Sequence, residues 1–358
     1  MTEIVLAHDY LVQTGGAERV VATWASGFGA RSITTLAYRP ESTFEVFASL
    51  EVKASLPPAF AGHVERLLPA LPAIAGRTTV RGGDVALASS SGWAHRFRYE
   101  MPHVVYVHTP ARWLYAADDY RLRLSRVRRA GLTASTPLLR RGDREAMARA
   151  SAIVANSAVT QQRIRDAYEL DSIVVHPPVE PVAEVAIAPQ RALPEEFAVV
   201  VARDRGYKNV ALAVEAARAA GLSIVVVGAG SEVLTERSSG VYGLGRVTDE
   251  ELCWVYRTAA VVLGAGREDF GLTVIEAALE GTPAATIAAG GYLETVMPGV
   301  NGFYAASDVS NDVEALATAV TRARSLGRAE CVRWAEQFSA EAHRGRLLEA
   351  LGEAGRVG

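Results

Sequence analysis

Two glutamates, Glu268 and Glu276, lie eight positions apart where a predicted strand gives way to a predicted helix. The apolar run 259–263 before them is typical of a buried parallel strand. From Leu272 onward, apolar residues recur at the spacing of one helix face. Glu268 therefore lies in the loop and Glu276 early in the helix. Carboxylates placed in this way could act on a bound substrate, although a glutamate in a first helical turn also interacts favourably with the helix dipole.

The turn between the two glutamates suits an anionic ligand. Gly271 has no side chain, so a ligand could approach its backbone closely. The backbone amides of Leu272 and Thr273 lack partners inside the helix that they begin, and the helix dipole favours negative charge at this end. The pattern thus predicts an anion site directly beside Glu268.

Two cations follow another predicted strand, at 197–201. Arg203 comes at its carboxyl end, and Lys208 lies five residues later. A guanidinium can bind phosphate through two hydrogen bonds and an ammonium acts as a point charge, so the pair suits a diphosphate. Either residue alone would be ordinary on a protein surface. Lysine is rare here, since only Lys53 and Lys208 occur, and this makes Lys208 more informative.

In the first half of the chain, glycines and a histidine follow predicted strands. Gly15 and Gly16 separate the first strand from the first helix and would let a ligand reach the helix N-terminus, although tight turns need glycine in any case. The spacing lacks the G-x-G-x-x-G pattern of dinucleotide sites. His108 ends the strand 104–107, at the edge of a parallel sheet where ligands bind. A histidine here can equally be structural.

A basic segment, 121–149, contains nine arginines, opposed there only by Asp143 and Glu145. It indicates either a solvated helix face or attraction to anionic lipid or to an acceptor phosphate. Nucleic acid is disfavoured because no aromatic-basic module accompanies the charge. The arginines are Arg121, Arg123, Arg126, Arg128, Arg129, Arg140, Arg141, Arg144 and Arg149.

The composition predicts a soluble protein with two α/β domains. The chain has 358 residues, of which 49% are hydrophobic and 22% charged. No apolar run is long enough to span a membrane and no signal peptide is recognisable, and the two cysteines form no metal or disulfide pattern. We therefore expect a cytoplasmic protein, with peripheral contact at the inner membrane face as an option through segment 121–149.

Taken in order, these motifs resemble those of the retaining GT-B glycosyltransferases of family 4, also called group 1, and of its mannosyltransferase-like branch. The resemblance rests on Glu-x7-Glu around Phe270-Gly271, the Arg-x4-Lys pair, the Gly-Gly-Ala-Glu-Arg loop from Gly15, and His108-Thr-Pro. It extends over nearly the whole chain. Ala202 is a mild departure, because the family usually has glycine before the arginine.

The resemblance implies roles for these residues. Gly15 and Gly16 would lie near the donor diphosphate and the acceptor, and His108 would contact the donor sugar and phosphate. Glu268 would face the donor sugar and Glu276 would hold the ribose hydroxyls. The catalytic set would be Glu268, His108, Arg203 and Lys208. The donor-binding set would be Gly15, Gly16, Arg203, Lys208, Gly228, Arg246, Val247, Phe270, Gly271, Leu272, Thr273 and Glu276.

The implied fold is GT-B, with two Rossmann-like domains facing each other across a cleft and a C-terminal helix crossing back to the first domain. Residues 1–180 would form the acceptor-binding domain, 181–195 a linker, and 196–328 the nucleotide-sugar-binding domain. Residues 329–358 would pack back on the first domain. Trp334 and Phe338, four positions apart, would supply an apolar face for this contact.

The implied reaction is retaining transfer of a hexose from a nucleotide sugar to a glycan, lipid-linked or small-molecule acceptor. The branch favours GDP-mannose over a UDP-sugar. We expect no cofactor and no required metal, because no Asp-x-Asp motif occurs. The alternatives are a non-catalytic protein that binds sugar nucleotides or membranes, and a related epimerase or phosphorylase.

Overall fold

The computed structural model describes residues 2–62, 64–67, 70–115, 126–202, 208–235, 239–305 and 312–354, with the side chains of 65–66, 126–132, 134 and 353–354 excepted. Contacts divide the chain into two compact units. The first unit comprises Met1–Pro178 together with His343–Gly358, and the second comprises Val179–Ala342.

The first unit is built on a parallel sheet. Its strands are β1 (Ile4–His8), β2 (Ser32–Thr35), β3 (Glu51–Ala54), β4 (Thr79–Val80), β5 (Val85–Ser90), β6 (Arg98–Tyr99), β7 (His103–Val107), β8 (Ala152–Ala155) and β9 (Ile173–Val174). Within the described ranges, seven of them pair in the order β3-β2-β1-β5-β7-β8-β9, and β4 pairs separately with β6. Each pairing is parallel, so the carboxyl ends of the strands share one edge.

Helices pack against both faces of this sheet, and for this reason its central strands β1, β5, β7 and β8 are short, largely apolar and buried runs. They are α1 (Gly16–Gly27), α2 (Pro58–Ala61), α3 (Leu71–Ala75), α4 (Arg112–Tyr115), α5 (Arg126–Met147) and α6 (Ala158–Tyr168). α6 begins where the Ser157 side chain accepts a hydrogen bond from the Thr160 amide, as the Asn-Ser pair there predicts.

The second unit has its own parallel sheet. Its strands are β10 (Phe197–Val201), β11 (Ser223–Val227), β12 (Val241–Gly245), β13 (Val261–Gly264), β14 (Ala284–Thr286) and β15 (Gly302–Tyr304), in the order β12-β11-β10-β13-β14-β15. Its helices are α7 (Val210–Ala219), α8 (Asp249–Thr258), α9 (Leu272–Leu279), α10 (Tyr292–Thr295), α11 (Val313–Ala323) and α12 (Arg328–Ala335). The predicted α/β class with two parallel-sheet domains is confirmed.

The last helix, α13 (Ala340–Ala354), contributes to the core of the first unit through Leu347, Ala350 and Leu351. It is held there by a buried histidine. The Trp24 indole donates to His343 Nε2 at 2.8 Å, and His343 Nδ1 lies 2.7 Å from the His176 carbonyl oxygen, so the neutral ring both accepts and donates.

The boundaries differ from those predicted. Residues 329–342 belong to the second unit, and the chain joins the first unit only from His343. Trp334 and Phe338 do form an apolar face, but that face packs on Phe270 in the second unit. The stretch 181–195, predicted as a linker, also belongs to the second unit, because Val182 is buried in its core.

No helix in the described part of the chain is both long enough and apolar enough to cross a membrane.

Candidate functional site

Lys208 and Glu268 form an ion pair at the carboxyl edge of the second sheet. Lys208 follows β10 and Glu268 follows β13, its central neighbour, so parallel pairing brings the two loops to one place. Lys208 Nζ donates a hydrogen bond to Glu268 Oε1. The side chains are 17% and 16% exposed. Lys208, which is predicted to bind the diphosphate, and Glu268, which is predicted to face the sugar, therefore lie in direct contact.

Glu276 points to a different partner. It is half-buried in the second turn of α9, where its Oε2 accepts a hydrogen bond from the Tyr256 hydroxyl at 3.1 Å. Tyr256 is fully buried on α8. This tyrosine fixes the carboxylate and was missed in the sequence, where nothing distinguishes it from other apolar-face aromatics.

Gly271 begins α9 with φ +97°, a conformation that only glycine adopts readily. A side chain here would also meet the Tyr292 ring at 3.0 Å. The space beside Gly271 that was expected to admit a ligand is thus filled by the Tyr292 ring. The backbone amides of Leu272 and Thr273 remain the groups suited to an anion. Phe270 is buried against Phe338, so its backbone is the part that could contact a donor.

A second glycine loop holds Glu268 in place. The Gly291 amide donates to the Glu268 carbonyl at 2.9 Å. A Cβ at Gly290 would clash with that carbonyl, and a Cβ at Gly291 would clash with the Phe270 backbone. Two backbones meet here without side chains between them, so the loop that carries Glu268 has little freedom to move.

The remaining predicted donor residues line the same edge of the sheet. Gly228 follows β11 with φ +137°, and its amide donates to the Gly245 carbonyl at 2.8 Å. Arg246 is exposed and Val247 half-buried after β12. The next residue, Thr248, caps α8 in a capping box. Arg203 lies outside the described residues.

The first sheet has a buried polar network at its carboxyl edge. Glu18 on α1 and His8 at the end of β1 are each 2% exposed, and Glu18 Oε1 lies 4.0 Å from His8 Nε2. Gly15 leaves room for this carboxylate, because a Cβ there would clash with it. The predicted Gly15-Gly16 loop thus accommodates the protein's own glutamate at the start of α1.

The same network reaches His108. His8 Nδ1 lies 3.0 Å from Ser89 Oγ, and Ser89 Oγ lies 2.8 Å from His108 Nε2. Glu18, His8 and Ser89 were all missed as site residues. The available signal was that β1 ends in His8, β5 ends in two serines and His108 directly follows β7, since parallel strands bring such ends together.

Burial and charge act in opposite directions on His8 and Glu18. Burial by itself would lower the pKa of His8, but the Glu18 carboxylate outweighs it, and the pKa of His8 lies above its ordinary value. Burial likewise opposes the effect of His8 on Glu18, whose pKa is nonetheless lowered. Both shifts favour the charged forms of the two side chains, which attract each other.

The basic segment is described only in part. Arg121 and Arg123 lie outside the described residues, as do the side chains of Arg126, Arg128 and Arg129. The other arginines that can be described mostly interact within the protein: Arg140 with the Leu114 carbonyl, Arg141 with Glu145, and Arg144 with Glu169.

Comparison with known proteins gives two family matches. Residues 14–182 match the model described as Glycosyltransferase Family 4, and residues 186–338 match the model described as Glycosyl transferases group 1. No protein of curated function matches the chain in sequence.

Solved structures share the fold. HepE of Anabaena, solved in complex with UDP, is 18% identical, with a TM-score of 0.67 over 98% of this chain and 99% of that one. Sucrose-phosphate synthase from Thermosynechococcus elongatus is 19% identical, with a TM-score of 0.69 over 98% and 100%. At this level of identity the likeness concerns the fold, which is GT-B. Two adjoining glycosyltransferase models, 14–182 and 186–338, thus identify the chain as a group 1 glycosyltransferase of the family 4 type.

Proposed function

We propose that this glycosyltransferase transfers a hexose, with retention of anomeric configuration, from a nucleoside diphosphate sugar. The observation that carries the proposal is the Lys208–Glu268 pair beside the amino end of α9. A cation, a carboxylate and unpaired helix amides are the groups that such a reaction needs. Departure of a nucleoside diphosphate builds negative charge on phosphate and positive charge at the anomeric carbon.

Lys208 changes partner in this proposal. The leaving diphosphate competes with Glu268 for the ammonium and is also met by the amides of Leu272 and Thr273. Glu268 is then released from the lysine and faces the sugar, where its charge stabilises the oxocarbenium-like centre. The Gly290-Gly291 loop keeps its backbone fixed during this exchange.

Glu276 and His108 have supporting roles. Tyr256 holds the Glu276 carboxylate so that it can accept hydrogen bonds from the ribose hydroxyls. Ser89 holds the His108 ring through Nε2, and His108 would contact the donor sugar and phosphate. Arg203 would join Lys208 on the diphosphate.

The identity of the donor rests on two arguments that point in different directions. The His108-Thr-Pro motif resembles the mannosyltransferase-like branch and favours GDP-mannose. HepE was solved with UDP-glucose, which favours a UDP-hexose. The acceptor is a glycan, a lipid-linked sugar or a small molecule, and charge at 121–149 supports peripheral contact with an anionic membrane.

A thermal-shift panel of UDP, GDP and ADP tests the donor, because a ligand that binds the folded state raises its apparent stability. We expect a shift with one of the first two nucleotides and its loss in Lys208→Gln. The matching hexose donor is then assayed for transfer with and without EDTA, and NMR gives the anomeric configuration of the product. Failure of every nucleotide to bind, or an inverted product, contradicts the proposal. Activity that needs added Mg²⁺ or Mn²⁺ contradicts its metal independence.

A further inference from the structure

A pocket of about 570 Å³ lies at the amino edge of the first sheet. His103, the first residue of β7, and Ser151, just before β8, form part of its lining. His108 follows the other end of β7, five residues away, which is about 16 Å at 3.3 Å per residue. The pocket is therefore separate from the carboxyl-edge network that contains His108.

Three arginines line this pocket, and we call it the cationic pocket: Arg96, Arg98 and Arg149 with His103. Among the described residues, its lining includes no aspartate or glutamate. Arg96 forms an ion pair at 2.8 Å with Asp143, whose carboxylate is fully buried and does not line the pocket. Arg98 and Arg149 form no ion pair with any described carboxylate. Both side chains are exposed and Arg98 Nε donates to the Gly76 carbonyl, so the pocket keeps two positive charges that no described carboxylate neutralises.

His103 supplies a second, independent sign of a ligand. Its side chain is 7% exposed and stacks on Tyr99 with ring centroids 4.0 Å apart. Nε2 is buried and has no hydrogen-bond partner in the described structure. Buried polar atoms are nearly always paired, so an unpaired nitrogen on a residue that lines a cavity indicates a partner from outside the chain.

The chemistry of this nitrogen restricts that partner. Burial and the charge of Arg149 lower the pKa of His103 to about 4, so its ring is neutral at physiological pH. A neutral imidazole carries one proton, so Nε2 either donates or accepts one hydrogen bond. A hydroxyl group can do both and therefore suits Nε2 in either tautomer.

We propose that the cationic pocket binds a phosphate monoester that also carries hydroxyl groups, of the sugar phosphate class. Arg98 and Arg149 hold the phosphate, and His103 Nε2 forms a hydrogen bond with a hydroxyl. The volume lies in the range of about 300–1,000 Å³ that small-molecule sites occupy. Such a group could be free in solution or could be the headgroup of a phosphoinositide.

Isothermal titration of the full chain with glucose 6-phosphate tests this site. Arg149→Gln and Arg98→Gln should each weaken binding at least about tenfold, because each removes one charge-assisted contact. Arg141→Gln is the matched control, since Arg141 is exposed on α5 and pairs with Glu145 outside the pocket. It should leave the affinity unchanged.

Lys208→Gln separates this site from the donor site. It should weaken nucleoside diphosphate binding and leave glucose 6-phosphate binding unchanged, whereas Arg149→Gln should do the reverse. The two proposals can thus fail separately.

Sedimentation with phosphatidylcholine vesicles containing phosphatidylinositol 4-phosphate tests the lipid source. Binding that is lost in Arg98→Gln/Arg149→Gln assigns the pocket to the headgroup, and binding of the free ester alone assigns it to a soluble ligand. The proposal is overturned if neither probe binds, or if both arginine variants bind them as the wild type does.

Discussion

The two sheets present polar groups at their carboxyl edges in different ways. In the first unit, Glu18 and His8 are almost fully buried and are connected through Ser89 to His108. In the second unit, Lys208 and Glu268 pair with each other and keep about a sixth of each side chain exposed. A buried, interconnected pair resists change because breaking it leaves an uncompensated charge. A partly exposed pair can exchange partners. We infer that the buried network of the first edge holds His108 in position. At the second edge, Lys208 can exchange Glu268 for the diphosphate.

Replacing Glu18 with Gln should have the largest effect on stability. It removes the charge that His8 needs, and the free energy of unfolding should fall by about 3 kcal/mol. Urea unfolding measures the loss. Glu268→Gln is the matched control and should change stability by about 1 kcal/mol or less, because water reaches Lys208. Equal losses in the two variants would remove the contrast between the edges.

Acid should destabilise the first unit selectively, since all seven histidines lie in it. Burial lowers the pKa of His343 to about 4. Between that value and the ordinary pKa of about 6.5, the unfolded chain binds a proton that the folded chain does not, so stability falls as the pH falls. The raised pKa of His8 has the opposite sign, and its contribution is complete below pH 6.5 and lost at higher pH.

The expected loss from His343 is about 3 kcal/mol between pH 6.5 and pH 4. His343→Gln keeps an acceptor for Trp24 and a donor for the His176 carbonyl but does not titrate. Urea unfolding at both pH values should show a smaller loss in this variant. An unchanged loss would mean that His343 is not the group responsible.

For catalysis we expect the second edge to matter more than the first, which is the reverse of the order expected for stability. Glu268→Gln should lower the turnover number about 100-fold, which corresponds to about 2.7 kcal/mol in the barrier. Nucleoside diphosphate affinity should remain nearly intact. Glu276→Gln should mainly weaken donor binding, because Glu276 contacts the nucleoside in our proposal. Steady-state kinetics with the preferred donor measures both effects, and the opposite assignment would contradict the roles.

The smallest expected effect concerns Lys208. Its replacement by alanine should weaken nucleoside diphosphate binding at least about tenfold, or about 1.4 kcal/mol. Calorimetry gives the affinity. Lys53→Ala is a suitable control, because Lys53 is an exposed strand residue that pairs with Glu51. Unchanged affinity in Lys208→Ala would show that the ammonium remains with Glu268 when the nucleotide binds.

The fold could be predicted from the sequence because parallel strands are buried on both faces and therefore read as short apolar runs. β10, with Phe197 followed by Ala198 and three valines, is such a run. The C-terminal boundary could not be predicted in the same way. The spacing of Trp334 and Phe338 predicts an apolar face, but the core that receives this face depends on the path of the chain after Ala335.

Individual residues of the site could be predicted from the sequence, but most of their contacts could not. Lys208 and Glu268 stand out through their motifs, whereas their contact depends on which strands are neighbours. Tyr256 carries no sequence signal, since a tyrosine on a helix is common, and the only signal for Ser89 is its place at a strand end. Their roles come from partners 20 and 19 positions away, Glu276 and His108.

The placement of α13 also bears on how the protein is synthesised. The second unit is one continuous stretch, 179–342, whereas the first unit needs Leu347 and Leu351 to complete its core. On the ribosome, the first unit emerges earlier but must wait for the last helix. The usual order, in which the N-terminal domain folds first, should therefore be inverted in its final step. Until His343 reaches Trp24, the nascent first unit exposes the apolar surface that α13 will cover.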